Sequence, residues 1–285
     1  MKQLKWTEKK IASMQAKGFG KGSGAHYKPW IEVTDISSQG RKSWVPSTKC
    51  GRVIHTLSDV EHDLCLLLDW SDDVVDINEQ YPLDREITTQ IAHELRIPHP
   101  YYGLTQIPVV MTVDFMVTIT RNGKPELEAF NAKDTEKALD ERTMLKLEIV
   151  RESLAQMEVP HHLVIGSQLP AKLVENLTSI VKATPQPDEL EDYPGALEDM
   201  TNRFRSHFAH VIQRQPQQQL FEAAMEFDRI HSVASGSGLR AAKALVKQKE
   251  VLCDLTQTSI DKMQLAAFSI RNAATAGLRQ AGGAR

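Results

Sequence analysis

The sequence predicts an α/β protein built on a mixed sheet flanked by helices, followed by a small, mainly helical domain with a short wing. Three observations carry this. Val109 to Ile119 is a run rich in β-branched and apolar residues, and Asn122-Gly123 follows it. That dipeptide is the strongest short hairpin signal, because a type I′ turn needs positive φ at both central positions. The order of elements around it is helix, strand, hairpin, helix, strand. An acidic, proline-rich stretch from Thr184 to Pro194 then ends the pattern and precedes three helical segments.

Along the chain, residues 1–17 read as a short amphipathic helix with Trp6, Ile11 and Met14 as its apolar positions. Gly18, Gly20, Gly22 and Gly24 punctuate a basic loop, predicted to be a flexible arm whose lysines reach phosphates. It is no P-loop, since GxxxxGK[ST] is absent and no strand precedes it. Pro29 to Val33 starts a strand, and Ser37 to Arg41 is a loop. Ser58-Asp59-Val60-Glu61 begins a helix that buries Val60, Leu64, Leu67 and Leu68. Val74–Ile77 and Glu79–Leu83 form a strand terminated by Pro82. Asp140 to Met157 is a long helix with Leu147, Val150, Leu154 and Met157 spaced for burial, and His162 to Gly166 is the next strand. Helices near 196–214, 218–231 and 238–249 precede Val251–Leu255, and the tail after Asn272 is read as disordered. The expected division is a basic arm (1–25), a nuclease-type domain (26–182), a linker (183–195), a winged-helix-like partner-binding domain (196–272) and a tail (273–285).

At 285 residues, 41% hydrophobic and 25% charged, the chain is a globular protein able to bury a core. Cys50, Cys65 and Cys253 are odd in number and lack any CxxC, which argues for a reducing compartment and against a disulfide framework or cysteine zinc site. No apolar run approaches a membrane span, and no apolar core follows the N-terminal lysines as in a signal peptide. The net charge of −3 conceals an asymmetry. Residues 1–52 hold eleven basic residues against three acids, and residues 236–285 hold eight against three, so the middle is strongly acidic. Basic ends around an acidic centre suit a protein that grips a polyanion such as DNA while gathering carboxylates around a cation. A solvated surface with segregated charge is the plainer alternative.

The hairpin turn fixes which side chains face each other. A two-residue loop pairs Arg121 with Lys124, which sets Asp114 opposite Asn131 and Thr112 opposite Lys133. Asp114, Asn131 and Lys133 then share one face, unless a bulge shifts the register. A carboxylate beside a second side-chain oxygen suits magnesium, and a nearby lysine can orient water or neutralise charge on a phosphorane-like transition state. The trio resembles the D-x(n)-(E/D/Q)-x-K pattern of restriction-endonuclease-like nucleases. The competing reading is a sheet face with one exposed Asp, Asn and Lys. Glu61 is also read two ways: as the reaching-back acid of a Ser58-x-x-Glu61 capping box, and as a further metal ligand from the first turn of its helix. His161-His162 lacks metal-ligand spacing and is taken as a surface or core pair. Glu148, after the hairpin, is taken as an exposed helix-face residue. No HExxH or Gly-x-Ser-x-Gly occurs, and Gly236-Ser237-Gly238 is read as linker chemistry.

Ser58-Asp59-Val60-Glu61, Glu79-Gln80-Tyr81-Pro82-Leu83, Thr112-Val113-Asp114-Phe115, Ala132-Lys133 and Leu139-Asp140-Glu141-Arg142-Thr143 resemble the N-terminal domain of the TnsA family. Gly22-x-Gly24…Tyr27-x-Pro29-Trp30 and Gly51-Arg52-Val53-x-His55 fit the same family. The resemblance runs through roughly residues 18–180 and, more weakly, from Leu239 to Leu255. It implies a restriction-endonuclease fold and a bacterial cytoplasmic setting. It also implies magnesium-dependent cleavage (with manganese able to substitute) of the 5′ strands at transposon ends, beside a TnsB-like transposase and a TnsC-like ATPase. By resemblance Glu61 and Asp114 are the metal-binding acids and Lys133 the catalytic lysine. Asn131 stands where the family usually has Gln or Glu and is one methylene shorter, while the Ala132 carbonyl remains able to coordinate. Two other readings stay open: a catalytically weak DNA-binding scaffold subunit, motivated by Asn131, and a stand-alone restriction or repair nuclease.

Overall fold

The hairpin organises the first half of the chain. In the computed structural model, which describes residues 6–34, 42–103, 105–183 and 193–271, Asn122 and Gly123 have φ of +54° and +75°, as a type I′ turn requires. They join β4 (Thr112–Arg121) to β5 (Lys124–Lys133), whose antiparallel ladder runs from Arg121–Lys124 to Phe115–Phe130. The register is the expected one over that span. The ladder then stops short of the expected Asp114–Asn131 and Thr112–Lys133 pairs. β3 (Val74–Pro82) pairs antiparallel with the other edge of β4, and β6 (His161–Ile165) pairs parallel with β5. The result is a four-stranded mixed sheet in the order β3-β4-β5-β6. A parallel neighbour needs a crossover, and α5 (Glu141–Gln156) supplies it after the short α4 (Thr135–Ala138). Ile91 and Ala92 of α3 (Arg85–Glu94) join Ile149, Val150 and Leu154 of α5 in one core with Val113 and Ala129. Met157 caps α5 and is exposed rather than buried, because the helix ends one residue before it.

The chain divides into two compact units, Met1–Leu169 and Pro170–Arg285. In the first, the glycine-rich segment is pinned rather than a free arm. α1 (Glu8–Ala16) buries Ile11 and Met14 against Trp30 and Val110. Gly20, at φ +75°, lies so close to Pro82 that a Cβ there would meet its ring. A hairpin absent from the sequence reading, β1 (Ser43–Ser47) and β2 (Arg52–Thr56), carries Arg52 over β3. Its guanidinium grips the fully buried Glu79 carboxylate at 2.8 and 2.5 Å and also donates to the Ile77 and Gly24 carbonyls. Asp76 accepts from the Gly24 amide, and the Tyr27 hydroxyl donates to the Glu79 carbonyl. The Gly24 backbone is thus anchored to Asp76 of β3 and Arg52 of β2, and other loop amides bond within the loop, which is why it does not float. Pro29 to Val33 forms no strand; Trp30 instead packs in the core, its amide bonded to the Gln80 carbonyl. The loop expected at Ser37–Arg41 falls outside the described residues.

The second unit contains α6 (Ala171–Ala183), α7 (Ala196–Arg214), α8 (Leu220–His231), α9 (Ser237–Lys247) and a two-residue-strand pair, β7 (Val251–Leu252) with β8 (Ser269–Ile270). The sequence reading set α6 with the first domain, but its bonds hold it here. The Asn176 amide donates to the Leu255 and Thr258 carbonyls, and its oxygen accepts from the Ile260 amide. Gly236-Ser237-Gly238 is the start of α9, not linker: Asp228 accepts from the Gly236 and Gly238 amides, and Gly238 lies against the α8 backbone. Most of α9 is buried. The expected linker and tail lie largely outside the described residues.

The Arg52–Glu79 pair should dominate the stability of the first unit. Removing one partner of a buried pair strands the other charge, so Glu79→Ala should cost about 3–5 kcal/mol. Glu8→Ala, which removes the more exposed partner of Arg85, should cost no more than about 1 kcal/mol. All four tryptophans (Trp6, Trp30, Trp44, Trp70) lie in the first unit, so tryptophan fluorescence in urea reads that unit alone. Equal costs would contradict the assignment.

Candidate active site

Asp114 sits where β4 and β5 part. Its Oδ2 accepts from the Ala132 amide at 2.8 Å, so a side chain serves a strand amide that the ladder leaves unpaired. The same oxygen accepts from Lys133 Nζ at 2.7 Å, and Nζ also donates to the Ala132 carbonyl at 2.9 Å. Burial alone would lower the Lys133 pKa. The charge and hydrogen bond of Asp114 and the charge of Glu61 outweigh it, and the net shift is upward, so the ammonium stays charged.

Glu61 comes from α2 (Asp59–Trp70), whose N-cap Ser58 accepts from the Glu61 amide at 3.2 Å. The Glu61 carboxylate reaches back to the Leu57 amide at 2.9 Å and accepts from the Ser58 hydroxyl at 3.1 Å. The Ser58 cap read from the sequence is therefore present as expected, and the reach-back contact of Glu61 falls one residue earlier, on Leu57. The Gln80 side-chain amide also lies 3.4 Å from Glu61 Oε2. With only 6% of its surface exposed, Glu61 has its carboxyl pushed up to about 7, first by burial and then by the charge of Asp114. Two buried acids thus lie within electrostatic reach of each other, with one ammonium bonded to Asp114.

Asn131 departs from the expected grouping. It is buried, and its Oδ1 lies 2.9 Å from His161 Nε2 on β6, so the amide oxygen is engaged by the imidazole. β5 and β6 are parallel neighbours, with Ala129 beside His161, which brings the ring within reach of Asn131. Burial holds His161 below its ordinary pKa and hence neutral. Glu148 is tied to Arg151 on the outer face of α5, as expected. The residues that sequence reasoning missed are Gln80 and His161. Gln80 lay within a quoted motif, but nothing in its spacing shows that its backbone is left-handed, at φ +47°.

The donor set suits a hard cation in part. Two carboxylates and a backbone carbonyl are the oxygen ligands magnesium takes alongside waters and substrate phosphate. The Asn131 oxygen is bonded to His161, which leaves it one further lone pair. Among the described residues no group of three or more His, Cys, Asp or Glu gathers.

A four-stranded mixed sheet flanked by helices, with an aspartate on one hairpin strand and an Asn-x-Lys on the next, defines a restriction-endonuclease-like protein. Comparison with known proteins sharpens this. Residues 71–166 match the model for the TnsA-like endonuclease N terminal, and residues 168–255 match that for the TnsA endonuclease C terminal. The chain is 30% identical over 240 residues to the transposon Tn7 transposition protein TnsA of Escherichia coli, covering 84% of both chains. It belongs to the TnsA endonuclease family.

The raised Glu61 pKa has a stability signature. The unfolded chain releases this proton near the ordinary value of 4.5, and the folded chain holds it to about 7. The folded state therefore binds more protons between those values, and stability falls as pH rises through that window. The loss, complete above pH 7, should approach about 3 kcal/mol. Chemical denaturation from pH 4 to 8 should show wild type losing stability relative to Glu61→Gln. Parallel curves would contradict the assignment.

Proposed function

We propose that this chain is the magnesium-dependent endonuclease subunit of a heteromeric transposase, cutting the 5′ strands at transposon ends. The observation that carries the reading is the pair of buried carboxylates, Glu61 and Asp114, set against one lysine where the hairpin ladder opens. Family membership supports the endonuclease class, and the name of the Escherichia coli relative supports transposition.

When bound, magnesium polarises the scissile phosphate and lowers the pKa of water. Asp114 and Glu61 would hold it, with the Ala132 carbonyl as the third protein oxygen. Glu61 must give up its proton to serve. Lys133 balances charge that develops on the phosphoryl oxygens or positions the attacking water. In this structure, however, the Lys133 ammonium bonds both Asp114 Oδ2 and the Ala132 carbonyl. A cation therefore competes with the catalytic lysine for the same oxygens. Such a site is half-assembled, and binding energy from DNA, a TnsB-like transposase and a TnsC-like ATPase would complete it. The exposed lysines of the pinned N-terminal segment (Lys9, Lys17, Lys21) offer charge to phosphates.

Nicking of transposon-end DNA in magnesium, with and without both partners, tests this. Cutting should be weak by the chain alone and strong with partners, and Asp114→Asn should reduce it about 100-fold or more while keeping a neutral acceptor for the Ala132 amide. Robust partner-independent cutting would favour a stand-alone nuclease, and an unchanged rate in Asp114→Asn would remove the aspartate from the site.

The Asn131–His161 bond favours a second reading, a weakly catalytic scaffold subunit. Asn131→Gln separates the two. Recovery of otherwise silent cleavage in the presence of partners supports the scaffold; a change of less than about threefold supports a working enzyme that does not use this oxygen.

A further inference from the structure

We infer that Gln80 is a positioning residue of this site, its carboxamide holding the Glu61 carboxylate in a fixed orientation beside Asp114. The inference rests on the metal-site reading above and adds a residue to it. Gln80 lies inside β3, yet its φ is +47°, in the left-handed region that L-residues with long side chains avoid. Glu79 pairs with Phe115 and Tyr81 with Val113, so the intervening Gln80 falls opposite Asp114, and there the ladder skips a pair. Both neighbours of Asp114 are thus interrupted at the same level: β3 by Gln80, and β5 by the departure beyond Phe130.

The unusual backbone is matched by what the side chain does. Gln80 is 3% exposed, and both ends of its amide are occupied. The Thr112 hydroxyl donates to Oε1 at 3.1 Å, and Nε2 faces Glu61 Oε2 at 3.4 Å. The ionised Glu61 carboxylate only accepts, so the amide nitrogen faces it and the amide oxygen is left to the Thr112 hydroxyl, which donates. The chain of bonds links the first residue of β4, two positions before Asp114, to the first turn of α2. It ties Glu61 to the strand that carries Asp114, through neutral groups that do not compete for a cation. A strained backbone that persists in a buried strand, with a side chain directed at a functional group, is the pattern of a residue kept for its site rather than for its stability.

Two substitutions separate site from scaffold. Asn tolerates positive φ but is one methylene too short to reach Glu61, and Gly removes the strain and the side chain together. Using the full chain, manganese affinity is measured from the free-ion electron paramagnetic resonance signal, alongside the melting temperature. Gln80→Asn and Gln80→Gly should melt at or above wild type and bind manganese about tenfold more weakly, the usual loss for a residue supporting a ligand. Asp114→Asn serves as control and should lose binding. If it does while both Gln80 variants keep wild-type affinity, Gln80 has no positioning role. If both Gln80 variants melt below wild type, the residue is structural and the inference falls. If wild type shows no binding that depends on Asp114, the metal reading itself fails and takes this inference with it.

Discussion

The bond from the Ala132 amide to the Asp114 carboxylate decides the character of the site. In an uninterrupted hairpin that amide would find a strand carbonyl, and Asp114 would be one more cross-strand neighbour. Here β4 and β5 separate beyond Phe115–Phe130, and a side chain supplies the missing acceptor. A buried amide without a partner costs free energy comparable to a lost hydrogen bond, so the carboxylate is held firmly in the gap. Every other feature follows from its being there. Lys133 turns back to it, Glu61 across the gap feels its charge, and the Ala132 carbonyl is brought beside the same ammonium.

The electrostatics of that gap are unfinished in a useful way. Three ionisable groups lie in a buried space. Lys133 is held charged by Asp114, and Glu61 is pushed towards its neutral form by burial and by the same aspartate. A second positive charge would favour the ionised form of Glu61, and it would free the lysine for chemistry. Under the proposed function, an isolated chain in this condition would cut DNA poorly. Restraint of this kind suits a nuclease whose action has to coincide with that of partner proteins.

Much of this was legible in the sequence because it depends on short-range rules. Asn122-Gly123 fixes the turn, the turn fixes the register, and the register brings Asp114 to the level of residues 131–133. Ser58-x-x-Glu61 announced a helix start, and the cap was real, but burial beside Asp114 depends on packing that no local pattern records. The His161 contact of Asn131 has no sequence signal for the same reason: the ladder opens beyond Phe130, and β6, a parallel neighbour reached through a helix, presents His161 to the amide. The glycine-rich loop reads as flexible in sequence because its anchors, Arg52, Asp76 and Glu79, are distant along the chain. Gln80 stayed invisible because a left-handed residue inside a strand has no sequence signature unless it is glycine or asparagine.

The central claim is that Asp114, Glu61 and the Ala132 carbonyl, and not the Asn131 side chain, surround the cation. The most direct measurement is a crystal structure of the chain with manganese and transposon-end DNA, the ion located by its anomalous scattering. The account predicts a peak within direct ligand distance of both carboxylates, about 2.0–2.3 Å, with Lys133 Nζ withdrawn from Asp114 and the Asn131–His161 bond intact. A peak bound by Asn131 Oδ1, or one that leaves Glu61 uncoordinated, would contradict it.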